Sequence, residues 1–318
     1  HFSMLDNKRS LPSVVDGFKP GQRKILFAAF KRKLKAEIKV AQLAGYVAEH
    51  SAYHHGEASL AATILGMAQN YVGSNNINLL YPSGQFGTRL QGGKDAASAR
   101  YIFTRLEKIA RVIFNEQDDA LLKFLNEDGQ MIEPQWYLPI IPMVLVNGAD
   151  GIGTGWSTTV PTYNPRDIVD NIRRKMDGES LLPMTPWYRG FNGKIERNGV
   201  KGFIVTGIIT KRNATTLDIT ELPPRTWTQN YKEFLESMMD TEGGKTAFIK
   251  GYKEFHTDTT VHFEVTLGEA QMAEAEGVGL EKKFKLVSTM ATSNMHLFDQ
   301  DNRITKFAHA EEIIDGFY

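Results

Sequence analysis

The chain has 318 residues, 42% of them apolar and 23% charged, with a formal net charge of zero and no cysteine. That composition predicts a globular protein of two domains more readily than one; it excludes disulfides and thiolate metal sites, and no apolar run reaches the ~18 residues of a transmembrane helix. The zero balances two unlike parts: residues 1–112 carry sixteen Lys/Arg against seven Asp/Glu, and residues 113–318 carry twenty-one against thirty, so the first part is predicted to meet a polyanion.

The chain opens without Met and without a signal-peptide pattern, which predicts a piece of something longer. Turn signals follow at Pro12, Asp16-Gly17 and Lys19-Pro20-Gly21. A helix is predicted over about 22–35, with Ile25, Leu26, Ala29, Phe30 and Leu34 on one face and six Lys/Arg elsewhere. Two further helical stretches, about 39–48 and 57–72, are joined by a polar turn carrying His54-His55-Gly56. Ile77 to Tyr81 reads as a strand and Pro82-Ser83-Gly84 as a turn, with a glycine-rich loop through Gly93. Three helices and a hairpin-like excursion predict a winged helix. Ser98 is a predicted N-cap for another helix, which places Arg100 and Tyr101 in its first turn and Ile102, Leu106, Ile109 and Ile113 on its apolar face. The apolar run 138–146 leads into Gly148–Gly155, where a domain boundary is expected. The remainder alternates helices (166–176, 229–239, 268–276, 309–316) with strands (193–197, 202–210, 215–220, 260–267, 283–288), a mixed α/β pattern. The overall class is α+β and multidomain.

Three groups of residues bear on chemistry. A tyrosine phenol titrates near ~10 and attacks only when a base or cation stabilises phenolate. Arg100 beside Tyr101 offers a planar fork to phosphate oxygens, and a helix starting at Ser98 would add free N–H groups; Tyr101 could equally be one of eleven tyrosines that simply packs. His54-His55, with Glu49, His50 and Glu57 nearby, matches no zinc spacing. A histidine that supports a phosphate or moves a proton is the functional alternative to a turn histidine held by backbone. The segment 148–155 does not match G-x-G-x-x-G and opens no helix, so no dinucleotide site is expected. Ile152 between Gly151 and Gly153 suits either a wedge entering the minor groove or a buried residue at a domain junction.

Several long motifs then join these candidates. VVDGFKPGQRK (14–24), AYHHGE (52–57), GSNNINLL (73–80), GQFGTRLQGGKDAASARYIFT (84–104), EPQWYLPIIPM (133–143), NGADGIGTGWST (147–158) and LDITELPPRTWT (217–228) closely resemble eukaryotic DNA topoisomerase II, the type IIA class, in the family's order and across residues 3–318. The resemblance implies a winged-helix domain over 1–146 that carries the active-site tyrosine, and a tower domain over 147–318. It implies that Tyr101 attacks a DNA phosphodiester to form a 5′-phosphotyrosyl link, that Arg100 stabilises the pentacovalent phosphate, and that His55 supports the phosphate or the proton traffic. Arg9, Lys19, Arg23 and Lys24 match positions on the family's DNA-facing surface, and Ile152 matches its intercalating isoleucine. The implied partners are double-stranded DNA and a second copy of the chain; the implied compartment is the nucleus, with no membrane association.

The family's ATPase module and its TOPRIM domain, whose acidic residues bind Mg²⁺, have no counterpart here, and there is no EGDSA-like segment. No cofactor is therefore expected within this chain, with Mg²⁺ and ATP belonging to the full-length enzyme, and the chain alone is predicted not to cleave DNA at a useful rate. A non-catalytic winged-helix DNA-binding relative is the rival from another class, opposed by the intact Arg100-Tyr101 pair. A bacterial gyrase A-type protein shares the chemistry, but the YHHGE and GTGWST wording is closer to the eukaryotic branch.

Overall fold

Apolar faces at helical spacing bring three early helices together. In the computed structural model, which describes residues 1–318, α1 (Phe2–Ser10) precedes α2 (Pro20–Lys31), the two-residue strand β1 (Ile38–Lys39), α3 (Val40–His50) and α4 (Glu57–Ala68). Pro20 opens α2, where its missing N–H leaves no bond unmade, and the Gln22 side chain accepts from the Lys19 N–H at 2.9 Å. Ile25, Leu26 and Ala29 of α2 are buried with Leu43 and Val47 of α3 and Leu60 and Ile64 of α4. Each leucine-sized side chain withdrawn from water there stabilises the fold by roughly 1.5–3 kcal/mol.

The next segment departs from expectation. Ile77 to Tyr81 forms no strand; a single bridge joins Leu80 to Leu106, and the Asn147 side chain bonds both the Ile77 N–H and its carbonyl, at 3.0 and 2.9 Å. No helix begins near Tyr101 either. From a turn at Tyr101 the chain enters β2 (Phe103–Thr104), which pairs antiparallel with β1, and the helical turns come later, as α5 (Ala110–Ile113) and a 3-10 turn over Glu116–Leu121. The apolar positions fit a helix, but Ile102 and Thr104 are buried while Phe103 faces out, the period of a strand. Pairing with a distant segment outweighed local propensity here.

A hairpin of β3 (Phe124–Glu127) and β4 (Gln130–Pro134) leads to α6 (Met143–Asn147), a short helix at the end of the apolar run. Next comes a second hairpin, β5 (Ala149–Ile152) with β6 (Ser157–Val160), and then α7 (Pro165–Met176), whose N-cap Asn164 accepts from the Arg166 N–H. The chain then leaves for a separate body. β7 (Lys194–Arg197), β8 (Gly202–Thr206), β9 (Ile208–Asn213), β10 (Thr216–Glu221), α8 (Thr228–Met239), β11 (Gly251–Glu254), β12 (Phe263–Thr266), α9 (Glu269–Val278), α10 (Leu280–Lys283) and β13 (Val287–Ala291) follow. They build two antiparallel sheets, ordered β11-β12-β10-β9 and β13-β8-β7. The strand expected over 283–288 starts later, because α10 and Phe284 first cap the second core. The chain finally returns to the first body as the hairpin of β14 (Met295–Phe298) and β15 (Ile304–Phe307), followed by α11 (Ala310–Phe317). The fold is thus α+β with small antiparallel sheets.

Two hydrophobic cores result. The larger runs from Val14 to Met184 and resumes from Met295 to Ile314; the smaller lies between Leu217 and Leu286. The division expected at 146/147 falls inside the larger core, where Val146 shares packing with Val160, Tyr163 and Ile168. At this expected boundary Gly148, Gly151 and Gly153 serve close packing, since a Cβ on any of them would overlap a neighbour.

Candidate nucleic-acid interface and nucleophile

Tyr101 sits on a turn closed by its own N–H donating to the Ser98 carbonyl at 2.9 Å. The first N–H groups of α3, free because a helix start has no internal partner for them, hold the residues on either side. Ala41 N–H donates to the Ala99 carbonyl and Val40 N–H to the Ile102 carbonyl, both at 3.0 Å. The backbone is therefore pinned while the side chain points outward, 69% exposed. The Arg100 guanidinium lies 5.4 Å from the Tyr101 ring centroid. The phosphate site expected at a helix N-terminus headed by Ser98 does not form. Positive charge beside the phenol comes from the arginine.

The loop before Tyr101 is held by residues that local sequence reasoning missed. The Asp95 carboxylate accepts from Thr88 N–H at 2.9 Å and from its hydroxyl at 2.5 Å, closing a loop around Gly92 and Gly93. Gly92 has φ +63° and lies so close to the Trp227 indole that a Cβ would overlap it. Arg89 donates to Glu221 at 2.5 Å with the two side chains only 5% and 1% exposed. The first N–H groups of α8, on Thr228 and Gln229, bond the Arg89 and Leu90 carbonyls. The second body thus grips the tyrosine loop directly. Glu221 and Trp227 lie in the LDITELPPRTWT motif, which was the only sequence signal available for them.

A separate cleft of about 550 Å³ gathers Arg9, Lys19, Lys24, His54, His55 and Glu127. Lys19 Nζ donates to the Asp150 carbonyl at 2.6 Å; burial holds its ammonium below the ordinary lysine value, and the Asp150 carboxylate opposes that only in part. Lys24 bridges Glu133 Oε2 at 2.9 Å and the Ser51 carbonyl at 2.5 Å, so much of its charge is already matched. His55 is exposed, edge-on to the Tyr53 ring at 5.4 Å, whereas His54 bonds Glu127 at 3.1 Å. Tyr101 and Arg100 are not among the residues lining this cleft.

Arg23, expected on a DNA-facing surface, is turned inward instead. It is 8% exposed and donates from Nε and Nη2 to Asp16 at 2.7 and 3.0 Å, and from Nη2 to the Phe18 carbonyl. Burial opposes its charge, but Asp16 outweighs that and keeps it firmly protonated. An arginine three residues into an apolar helix face can be drawn inward when a buried carboxylate awaits it. Asp16 also accepts from the Phe18 and Tyr137 N–H groups, so this pair is a structural hub.

Ile152 ends β5 and is 87% exposed at the tip of the β5–β6 hairpin, whose turn closes with Gly153 N–H on the Trp156 carbonyl at 2.8 Å. It is not buried at a junction. No group of three or more His, Asp or Glu side chains is placed to hold a metal ion. The run Asp299-Gln300-Asp301 has a metal-like spacing, yet Asp299 is used in the β14–β15 turn, accepting from Asp301 N–H, Arg303 N–H and the Thr305 hydroxyl.

The chain is 57% identical over 321 residues to DNA topoisomerase 2 of Arabidopsis thaliana, covering all of this chain and 22% of that protein. It is 56% identical over 318 residues to DNA topoisomerase 2-alpha of Homo sapiens, covering all of this chain and 21% of that one. The chain thus spans about a fifth of the length of the curated relatives it matches. Its fold superposes with a TM-score of 0.97 on the DNA-binding, cleavage and re-ligation domain of Plasmodium falciparum topoisomerase II, at 54% identity, covering 99% of this chain and 43% of that structure. The family model for the A-type subunits of DNA gyrase/topoisomerase IV matches residues 9–318. The chain therefore belongs to the DNA gyrase/topoisomerase IV family of A-type subunits.

Proposed function

We propose that this chain is the DNA breakage-reunion part of an ATP-dependent type IIA topoisomerase, with Tyr101 as the nucleophile. The observation that carries the reading is a tyrosine side chain left exposed on a backbone pinned from both sides, with an arginine beside its ring. The phenolic oxygen attacks a backbone phosphorus; the bond to the 3′ oxygen breaks, leaving a 5′-phosphotyrosyl link and a 3′-hydroxyl. The phenol loses a proton and the departing oxygen gains one. Arg100 offsets the charge that builds on the phosphorane oxygens, and His55, which lines the separate cleft, supports the phosphate or that proton exchange from a second protomer.

Arg9 and Lys19, with Lys24 whose charge Glu133 partly matches, place positive charge along the duplex path, so binding is dominated by phosphate contacts and weakens with salt. Ile152 acts as a wedge that kinks the bound segment, and sequence preference follows bendability more than base edges. In domain terms, the helical part bearing Tyr101 serves as a winged-helix domain, and the part bearing Ile152 and the second body serves as a tower.

Mg²⁺ and ATP belong to the full-length enzyme rather than to this chain. The residues present do not fit a metal: the cleft's single carboxylate, Glu127, is bound to His54. Tyr101 and Arg100 have no side-chain hydrogen-bond partner within their own chain, which suits a composite site completed by a second protomer in a homodimer acting in the nucleus. The test is Tyr101→Phe in the full-length protein. The covalent protein–DNA adduct should vanish while noncovalent DNA binding is retained; an adduct that persists would overturn the assignment.

A further inference from the structure

Ile152 carries the wedge role proposed above, and a wedge works only if its support is stiff. Forcing base pairs apart meets the resistance of stacking and of duplex bending, so an isoleucine on a compliant hairpin would fold aside. Polar and backbone contacts support this hairpin from two sides. On one side β6 is fastened to the strand that returns from the second body. Asn294 Nδ2 donates to Ser157 Oγ at 2.8 Å, His296 N–H to Thr158 Oγ1 at 3.0 Å, and Thr159 N–H to the Asn294 carbonyl at 2.8 Å.

On the other side lies α1. Its residues are mostly exposed, with one buried exception, Asn7, at 7%. Asn7 uses both ends of its amide on a single residue of the hairpin tip. Thr154 N–H donates to Asn7 Oδ1 at 2.9 Å, and Asn7 Nδ2 donates to the Thr154 carbonyl at 3.2 Å. Asp6 adds a bond from the Thr154 hydroxyl at 2.7 Å. At the two glycines flanking Ile152, α1 comes close to the hairpin backbone. A Cβ on Gly151 would overlap the Ser10 carbonyl, and one on Gly153 would overlap Asn7 Oδ1. The helix is therefore seated against bare hairpin backbone, with the amide of Asn7 locked across the turn two residues from the wedge.

We infer that Asn7 is a positioning residue that aims Ile152: the Asn7–Thr154 amide clamp, seated on Gly151 and Gly153, makes α1 and the hairpin tip one rigid body, and DNA bending depends on it. This inference rests on the wedge reading, and the experiment separates the two. The chain is mixed with a duplex carrying a donor and an acceptor fluorophore at its ends, and bending is read as energy transfer at saturating protein. Ile152→Ala should lose most of the bend. Asn7→Ala should lower the ratio of bent to straight complexes roughly tenfold, the scale of one to two net hydrogen bonds.

Asn7→Asp keeps the size and the bond from Thr154 N–H but turns a carboxylate oxygen toward the Thr154 carbonyl. It should weaken bending comparably, and it serves if the alanine variant folds poorly. A duplex weakened by a central mismatch should restore bending to the Asn7 variants, a rescue that a general folding defect would not permit. Asn7→Ala combined with Ile152→Ala should bend no less than Ile152→Ala alone, because both act through one tip. Wild-type bending by both Asn7 variants, with most bending lost in Ile152→Ala, would overturn the role of Asn7 and leave the wedge standing. A further loss in the double variant would also overturn it. Wild-type bending by Ile152→Ala would bring down the wedge and this inference together.

Discussion

Replacing Glu221 with alanine should loosen the grip of the second body on the tyrosine loop. Glu221 is 1% exposed, and its carboxylate answers three donors: Arg89 Nη2, Leu222 N–H and Asn192 N–H. Its removal leaves the Arg89 guanidinium, itself 5% exposed, without a counter-charge. One-sided removal of a buried pair costs about 3–5 kcal/mol, and an orphaned buried N–H adds about 1–3 kcal/mol. The effects share one site and overlap, so a total of roughly 4–6 kcal/mol is expected. Thr228 and Gln229 N–H bond the Arg89 and Leu90 carbonyls, so hydrogen exchange at these two amides reads the opening directly. Their exchange should accelerate by several orders of magnitude. The paired change Arg89→Met with Glu221→Leu should be milder than Glu221→Ala, because no unmatched charge remains. A loss below about 1 kcal/mol, or a double variant as damaged as the single, would refute the claim that this pair holds the interface.

Two other perturbations test neighbouring claims. Gly92→Ala asks for a left-handed backbone at a cost of roughly 1–2 kcal/mol and drives a methyl into the Trp227 ring; covalent adduct formation in the full-length protein should fall while DNA binding holds, and unchanged adduct yield would argue against a loop fixed by Trp227. In the second body, the side-chain hydrogen bonds from Arg212, opposed by desolvation and aided by His262, hold the Asp218 carboxyl below its ordinary value of 3.8. The folded state therefore binds this proton more weakly than the unfolded chain. Its stabilisation is full above pH 3.8 and is lost as the pH falls through the lower folded value. Asp218→Asn should flatten that part of the acid unfolding profile, followed by circular dichroism, and an identical acid limb would contradict the assignment.

The sequence by itself determined the family, the candidate nucleophile with its arginine, and the three helices of the first body. Those features are local or motif-borne: an apolar face at 3.6-residue spacing needs only a neighbour to bury against, and the GQFGTRLQGGKDAASARYIFT segment is continuous. The tertiary structure decided how those residues are held. The stretch after Tyr101 has a helical pattern, yet β1, more than sixty residues earlier, drew it into a strand. Arg23 has the charge of a DNA contact but is claimed by Asp16, and at the expected domain boundary Gly151 and Gly153 serve as the seat for α1. Asn7 with Thr154 and Arg89 with Glu221 are separated by 147 and 132 residues. Nothing in the local pattern of either partner marks such a pair, because a polar side chain becomes a clamp only when folding withdraws it from water and leaves it one partner.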